Sequence, residues 1–258
     1  MFKKSIITLV SLCFVSISLP SIACEKVPYK VGVQSIDYSP HYNGEHPNKE
    51  TFFKLFIAWV SNKTGCKFEV INLPIKRLYL EFESDSFDLM YPDNPAWHSN
   101  SSSDEQTAPL DTRLYSPKIA TALGGTMVKP EHENIKLESF RVLVFPRGFS
   151  PIAWYPLQES HAIEFKEVTD AAAALMMVDA GRATGADIEY NVARHLAKEH
   201  HYTALVLAKN LPFTPTGFHL STIKHPKLMA TISQLIDEHP QELSAMRKKA
   251  GLIENLPE

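Results

Sequence analysis

A pair of cations, Lys76 and Arg77, stands at the start of a short amphipathic segment that leads into a polar turn. A guanidinium presents two parallel N–H donors to a carboxylate, so Arg77 is a candidate ligand-binding residue, ahead of Lys76. Tyr91 and Asp93 lie at the end of the same unit and are candidates for the same pocket. The alternative for Arg77 is an ordinary solvated position on a helix, where arginine is commonly found.

A second polar segment ends in Asp187 and Glu189, which are two residues apart and therefore on one face of an expected strand. An acid at the end of a strand is a candidate ligand contact, and Glu189 is the preferred one. Such an acid also commonly starts the next helix, where the helix dipole stabilises it. Both interpretations stay open.

The turn from Arg147 to Pro151 follows an expected strand and precedes an expected helix. Free backbone N–H groups at a helix start bind anions, so Arg147 and Ser150 are candidates for an anion site. A plain N-cap followed by a first-turn proline would also explain Ser150 and Pro151. Capping does not explain Arg147 or Phe149.

Aromatic side chains offer stacking surfaces to a ligand or a cation. We expect about two of the candidates to contact ligand and the rest to belong to the core. The sequence has no His/Cys set with metal-ligand spacing, no nucleophile elbow and no phosphate or dinucleotide loop, so we predict no metal, cofactor or catalytic residue. The aromatic candidates are Tyr38, Tyr42, Tyr91, Trp97 and Trp154.

The first 23 residues predict a secretory signal peptide. Lys3 and Lys4 precede an apolar run over residues 6–19, and Ser21-Ile22-Ala23 fits a cleavage site. Its removal changes the formal net charge from −3 to −5, because it carries two lysines and no acid. We therefore expect a mature protein that is soluble outside the cytoplasm, and the absence of a basic run argues against a nucleic-acid partner.

Two cysteines, Cys24 and Cys66, remain after cleavage. An oxidising compartment favours a disulfide between them. Acylation of Cys24 as a lipoprotein is the alternative, but Ser21 stands where the signal of a lipoprotein normally has leucine.

Strands and helices are expected to alternate along the chain, which indicates an α/β protein with parallel sheets. Asn48, Ser150 and Thr169 are expected to cap helices, and Gly65 and Gly181 to end them. Two stretches, residues 82–93 and 178–189, share the order of helix end, turn and strand with a polar carboxyl end. Two similar lobes facing each other would form a cleft beyond their strand ends. The expected strands cover residues 29–34, 67–72, 87–91, 140–145, 184–188 and 204–207, with a further strand after Gly217; the expected helices cover residues 74–82, 191–199, 226–238 and 240–250.

The sequence resembles the type II periplasmic solute-binding proteins, in particular the family 3 group that includes polar amino-acid receptors of ABC transporters. The order and spacing of several pieces carry the resemblance across nearly the whole mature chain. These pieces are Tyr29-Lys-Val-Gly-Val33 with the aromatic loop after it, Leu73-Pro-Ile-Lys-Arg77 leading to Phe87-Asp-Leu-Met90, Leu114-Tyr-Ser-Pro117, and Asp179-Ala-Gly-Arg-Ala-Thr-Gly-Ala-Asp187.

The resemblance implies two lobes, each a mostly parallel sheet flanked by helices, joined by hinge strands near residues 116–121 and 211–216. The first lobe would comprise residues 24–117 and 215–258, and the second residues 118–214. It also implies a monomer that closes on a small polar solute and delivers it to an inner-membrane permease. Glu189 aligns with the acid that takes the ammonium of the ligand in amino-acid receptors.

One departure from the family concerns the ligand's α-carboxylate. Amino-acid receptors hold it with an arginine ahead of the element at Leu114-Tyr-Ser-Pro117, whereas this chain has no arginine over residues 97–106, and Arg113 lies too close to that element. Two other functions stay open: a sensing partner of a membrane kinase, cyclase or chemoreceptor, and a periplasmic dehydratase acting on cyclohexadienyl acids with Glu189 as general acid.

Overall fold

The computed structural model describes residues 24, 27–84, 86–98, 113–201 and 205–256. The expected signal peptide and most of the segment in which the family carries its arginine lie outside these residues. No helix within the described ranges is both long and apolar enough to cross a membrane.

The first part of the chain alternates strands and helices as expected. Its strands are β1 (Tyr29–Gln34), β2 (Asp37–Tyr38), β3 (Tyr42–Asn43), β4 (Phe68–Leu73), β5 (Leu89–Asp93) and β6 (Leu114–Tyr115), and its helices are α1 (Phe52–Thr64), α2 (Ile75–Glu83) and α3 (Pro95–His98).

The rest of the chain repeats the alternation and ends in two helices. Its strands are β7 (Ala120–Val128), β8 (Val142–Pro146), β9 (Glu164–Val168), β10 (Gly185–Glu189), β11 (Val206–Leu207) and β12 (Phe213–Thr222), and its helices are α4 (Tyr155–Gln158), α5 (Ala171–Asp179), α6 (Tyr190–His200), α7 (Pro226–Glu238) and α8 (Pro240–Ala250).

The main sheet has the strand order β4-β1-β5-β12-β7-β10-β8-β9. On one side β1 runs parallel to β4 and β5, and on the other β8 runs parallel to β9 and β10. Between these two halves the long strands β7 and β12 pair antiparallel, from Phe213 opposite Gly125 to Phe218 opposite Ala120. The protein is thus a two-lobe α/β fold, in which the first lobe contains β4, β1 and β5 and the second contains β10, β8 and β9.

The β7–β12 pair overlaps the expected hinge segments at residues 116–121 and 211–216. After Phe218, β12 continues into the first lobe, where it pairs with β5 and β6. The lobe limits expected from the sequence stay predictions.

Two helix starts differ from expectation by one to three residues. Thr51, not Asn48, caps α1, because its side chain accepts a hydrogen bond from the N–H of Lys54. Asp170, not Thr169, caps α5, and it accepts from Ala173 at 2.7 Å. Gly65 ends α1 with a φ of 76°, as expected of a glycine in the left-handed region.

The expected helix start at Ser150 and Pro151 is wrong. The chain bends and turns there, and the next helix, α4, begins at Tyr155 and spans only four residues. Sequence reasoning also missed β9, which adds an edge strand beside β8.

A disulfide joins Cys24 to Cys66, as expected, with the two Cα atoms 5.2 Å apart. The bridge lies ahead of β1 and β4, which are neighbours in the sheet with Tyr29 opposite Phe68. It occupies the sulfur atom to which an acyl anchor on Cys24 would attach.

Candidate functional site

The carboxyl ends of strands from both lobes meet at one place, which we call the inter-lobe cleft. From the first lobe β2 and the turn after it bring Tyr38 and His41, and from the second lobe the turn after β8 and the end of β10 bring Phe149 and Glu189. Tyr38 stacks on Phe149 with ring centroids 5.5 Å apart, and His41 Nε2 lies 3.3 Å from Glu189 Oε2. The two lobes are therefore in contact across the cleft. Parallel α/β sheets usually bind ligands beyond this end of their strands.

Aromatic rings form a continuous cluster in the cleft. Tyr38 stacks on Tyr42 at 5.2 Å, while His41 and Trp97 lie 5.0 and 5.9 Å from Phe218. Four of the aromatic residues predicted from the sequence are thus brought together. The aromatic cluster comprises Tyr38, His41, Tyr42, Tyr91, Trp97, Phe149 and Phe218.

The fifth predicted aromatic residue, Trp154, lies elsewhere. Its fully buried ring packs 4.6 Å from Phe140, in a second-lobe core that also contains Val128, Leu143 and Phe145. This environment is a hydrophobic core in which the indole N–H makes no hydrogen bond to a described residue, and the structure does not bring Trp154 to the aromatic cluster.

Several polar atoms of the cleft are buried without a hydrogen bond to any described residue. Tyr42 donates to Gln34 Oε1 at 2.6 Å, but the hydroxyl of Tyr91 and both ring nitrogens of His41 have no such partner. His41 Nε2 approaches Glu189 Oε2 without forming a well-directed hydrogen bond. A buried polar group left without a partner costs about 1–3 kcal/mol.

Glu189 has the role of a helix cap. Its carboxylate accepts from the N–H of Val192 at 2.8 Å, from the N–H of Leu123 at 2.9 Å and from the side-chain amide of Asn191 at 2.8 Å. These donors satisfy most of its acceptor positions. The capping interpretation is therefore observed, and a contact with ligand would have to be added to it.

Asp187 lies two residues earlier on the same strand face as Glu189. Its carboxylate is partly buried and makes no hydrogen bond or ion pair with the described residues. Burial raises the pKa of Asp187 to about 7. Burial also raises the pKa of Tyr38, and the charges of Glu189 and Asp187 raise it further, because both acids lie near its hydroxyl.

The predicted arginine Arg77 is not in the cleft. Two thirds of its side chain is exposed, and its guanidinium pairs with Glu81 one turn later on the surface of α2. Arg113 is buried between Glu83 and Asp93, at 3.5 and 3.3 Å. Neither guanidinium is available to a solute in this conformation.

Asp93, a predicted site residue, belongs to an internal network. It is fully buried, and its Oδ2 accepts from Ser221 at 2.6 Å as well as facing Arg113. This network ties the end of β5 to β12, next to the aromatic cluster.

The other predicted anion-site residues, Arg147 and Ser150, are exposed. Between them Gly148 adopts a φ of 85° and packs against Ile75 at the start of α2. The turn is therefore at the edge of the cleft and touches the first lobe. No helix begins in it, so it lacks the row of free N–H groups that the sequence suggested.

A separate cavity of about 430 Å³ lies outside the cleft, on the long strands β7 and β12. Glu254, one of its lining residues, pairs with Arg247 at 2.9 Å. The described residues contain no group of His, Cys, Asp and Glu arranged to hold a metal ion. The cavity is lined by Lys118, Thr121, Leu123, Phe213, Pro215, Glu254, Asn255 and Leu256.

Sequence reasoning did not select His41 as a site residue. It had only the polar, aromatic loop as a signal, and a histidine in such a loop is usually exposed. Its complete burial depends on contacts with Phe218 and Glu189, which are more than 140 residues away in sequence.

No family model matches the sequence, and no curated protein matches it closely. Solved structures do match: the chain has the fold of the type II periplasmic binding proteins. A histidine kinase sensor domain with similarity to periplasmic binding proteins aligns with a TM-score of 0.68 and 14% identity, covering 88% of this chain and 98% of that one.

Two further structures are binding proteins by their descriptions. The substrate-binding protein of an amino acid ABC transporter aligns with a TM-score of 0.64 and 15% identity over 86% of this chain and 98% of that chain. An ancestral amino acid-binding protein, described as a precursor of cyclohexadienyl dehydratase, aligns with a TM-score of 0.65 and 17% identity over 86% and 94%. At these identities the likeness establishes the fold.

Proposed function

We propose that this protein binds a small polar solute between its two lobes and closes on it as a hinge. The observation that supports this most directly is the buried His41, whose ring nitrogens make no hydrogen bond to a described residue at the point where the lobes meet. A solute with polar groups would supply the missing partners. Contacts made with both lobes at once would favour the closed form over the open one.

The place of action that we propose is the periplasm, with delivery of the solute to an ABC-type permease in the inner membrane. The signal peptide predicted from the first 23 residues and the disulfide between Cys24 and Cys66 both support an oxidising compartment. The similarity to a substrate-binding protein of an amino acid ABC transporter supports the transport role. We expect a monomer.

The second candidate is a sensing role, favoured by the similarity to a histidine kinase sensor domain. The solute cleft would be the same, but a receptor would read the closed form. Capture of the protein by its own permease, reconstituted in nanodiscs, separates the two: solute-dependent binding to the permease supports transport, and its absence favours sensing.

A dehydratase activity is the least favoured candidate. It would need a group that delivers a proton to the substrate, and the sequence offers Glu189. That carboxylate accepts three hydrogen bonds and caps α6, so its oxygens already serve as acceptors within the protein. We therefore propose that the protein is not an enzyme. Product formation from cyclohexadienyl acids would contradict this.

Solute binding is tested with the mature protein, residues 24–258, purified from the periplasm. A thermal-shift screen against amino acids, amines, organic acids and short peptides should give at least one ligand that raises the melting temperature, because a ligand of the folded state stabilises it. The radius of gyration of the protein, measured by small-angle X-ray scattering, should not increase when that ligand is added. The absence of any ligand across the screen would contradict the solute-binding function.

A further inference from the structure

We propose that Asp187 selects the solute by pairing with its cationic group, and that the solute class is small amines. This rests on the solute-binding function proposed above. It differs from the expectation for amino-acid receptors, in which the acid aligned with Glu189 takes the ammonium and an arginine takes the carboxylate.

Asp187 differs from Asp93 and Glu189 because no cation or hydrogen-bond donor of the described residues contacts its carboxylate. Asp93 faces Arg113 and accepts from Ser221, and Glu189 accepts three hydrogen bonds. No cation of the described residues pairs with Asp187, and burial alone accounts for its raised pKa. A buried carboxylate is costly unless a cation or hydrogen-bond donors accompany it.

The side chain of Asp187 is on the cleft side of β10. It shares a strand face with Glu189, whose carboxylate meets His41 of the first lobe. Its charge also raises the pKa of Tyr38, another first-lobe residue. Asp187 therefore lies where a solute held between the lobes would be.

His41 supplies an independent indication of a ligand at the same place. Its side chain is fully buried and points to Glu189, yet neither ring nitrogen makes a hydrogen bond to a described residue. A polar solute beside Asp187 and Glu189 would satisfy the imidazole as well. The acids and the imidazole thus converge on one position from the two lobes.

The aromatic cluster provides a surface for the rest of such a solute. Tyr38 and Phe149 stack at 5.5 Å across the lobes, so a small amine would insert between or beside their faces when the lobes open. A cation on an aromatic face gains about 0.5–2 kcal/mol, more when water is excluded. An aliphatic or aromatic amine gains from both the charge and the rings.

The residues around the cleft are less suited to binding a carboxylate group of the solute. Arg113 forms ion pairs with Glu83 and Asp93, and Arg77 forms an ion pair with Glu81 on the outer face of α2. The charges of Asp187 and Glu189 would repel a carboxylate placed near them. An amine should therefore bind at least as tightly as the amino acid that has the same side chain.

The test uses matched sets of compounds with the mature protein and isothermal titration calorimetry. One set is tyramine, tyrosine and 3-(4-hydroxyphenyl)propionate, and the other is agmatine, arginine and 4-guanidinobutyrate. We expect binding in the order amine, amino acid, acid, with the acid undetectable. Binding of an acid or of an amino acid without its amine would overturn the amine class but leave solute binding intact. Failure of all six compounds and of the wider screen would overturn both.

Two variants test whether Asp187 is the residue that binds the amine. Asp187→Asn keeps the shape and removes the charge, so it should weaken amine binding at least tenfold, which corresponds to about 1.4 kcal/mol. The exposed Asp237→Asn on α7 removes the same charge away from the cleft and should leave the affinity unchanged. Equal affinities for wild type and Asp187→Asn would overturn the assignment, provided that both unfold cooperatively.

Discussion

His41 and Glu189 meet across the two lobes, with Nε2 of one 3.3 Å from Oε2 of the other and both side chains almost fully buried. The glutamate has three other hydrogen-bond donors, whereas the imidazole has no hydrogen bond to a described residue. Burial of the histidine, rather than of the glutamate, therefore lowers the stability of the folded protein. Binding sites often retain such groups, because the solute uses them.

Replacing that histidine by leucine should separate stability from binding. His41→Leu fills a similar space and removes two buried nitrogens, so unfolding should cost on the order of 1 kcal/mol more, a rise in Tm of about 2–4 °C. Affinity for the solute should fall about tenfold or more. Thermal unfolding and calorimetry measure the two effects, with the exposed His46→Ala as control. A lower Tm in His41→Leu would show that its attraction to Glu189 outweighs the missing hydrogen bonds.

Glu189→Ala should be strongly destabilising, because it removes the cap of α6 and leaves the N–H of Leu123 without an acceptor. Loss of a cap costs about 1 kcal/mol and an orphaned buried donor about 1–3 kcal/mol. Arg77→Ala loses only an exposed pair within one helix and should change the free energy of unfolding by less than about 0.5 kcal/mol. Urea denaturation measures the free energy of unfolding of both variants. Similar small effects would mean that Glu189 is not needed as a cap.

The sequence predicts elements that are set by local chemistry. Proline at the first helical position fixes the starts of α7 and α8, and the glycine after Ala250 fixes the end of α8, and all these bounds are confirmed. Caps are less certain, since Asn48 and Thr51 are both suitable residues a few positions apart. The strand β9 was missed because Glu164–Val168 mixes charged and apolar residues at a sheet edge.

Site residues are harder to predict, because burial depends on distant parts of the chain. Tyr38 and Trp154 are equally aromatic in sequence, yet one lies in the cleft and the other in the second-lobe core. Arg77 looked like a carboxylate ligand, but the orientation of α2 places it against Glu81 on the surface. Nothing local distinguishes these outcomes.

The disulfide should contribute substantially to stability. It closes a loop with a sequence separation of 42 residues, for which the chain-entropy relation gives about 4 kcal/mol. Cys24→Ser/Cys66→Ser should therefore unfold at a clearly lower urea concentration than wild type. The intact mass of the periplasmic protein should match the unacylated chain, without thiols that react with iodoacetamide. A mass increase equal to a lipid would contradict the bridge and indicate acylation of Cys24.

Asp187 should make the protein less stable as pH rises. Burial raises its pKa in the folded state from the ordinary value of 3.8 to about 7, so the folded state holds the proton more tightly than the unfolded state. The stabilisation is present below about pH 4 and is lost as pH rises through 7. Asp187→Asn should therefore gain stability relative to wild type between these values, by at most about 1.4 kcal/mol per pH unit. Urea denaturation of both proteins at pH 4.5, 6 and 8 measures the difference, and a difference independent of pH would contradict the raised pKa.

The same carboxyl group should give amine binding an unusual pH dependence. A cation pairs with the ionised form of Asp187, while a proton competes for it below a pKa of about 7. Affinity for tyramine or agmatine should therefore fall about tenfold per unit between pH 6.5 and 5, although an ordinary surface aspartate would stay ionised throughout that range. Calorimetry at pH 6 in buffers of different ionisation enthalpy should detect release of nearly one proton on binding. Asp187→Asn, which binds weakly, should lose both the slope and the proton release; if wild type also shows a flat profile from pH 8 to 5, the cation is bound by a group other than Asp187.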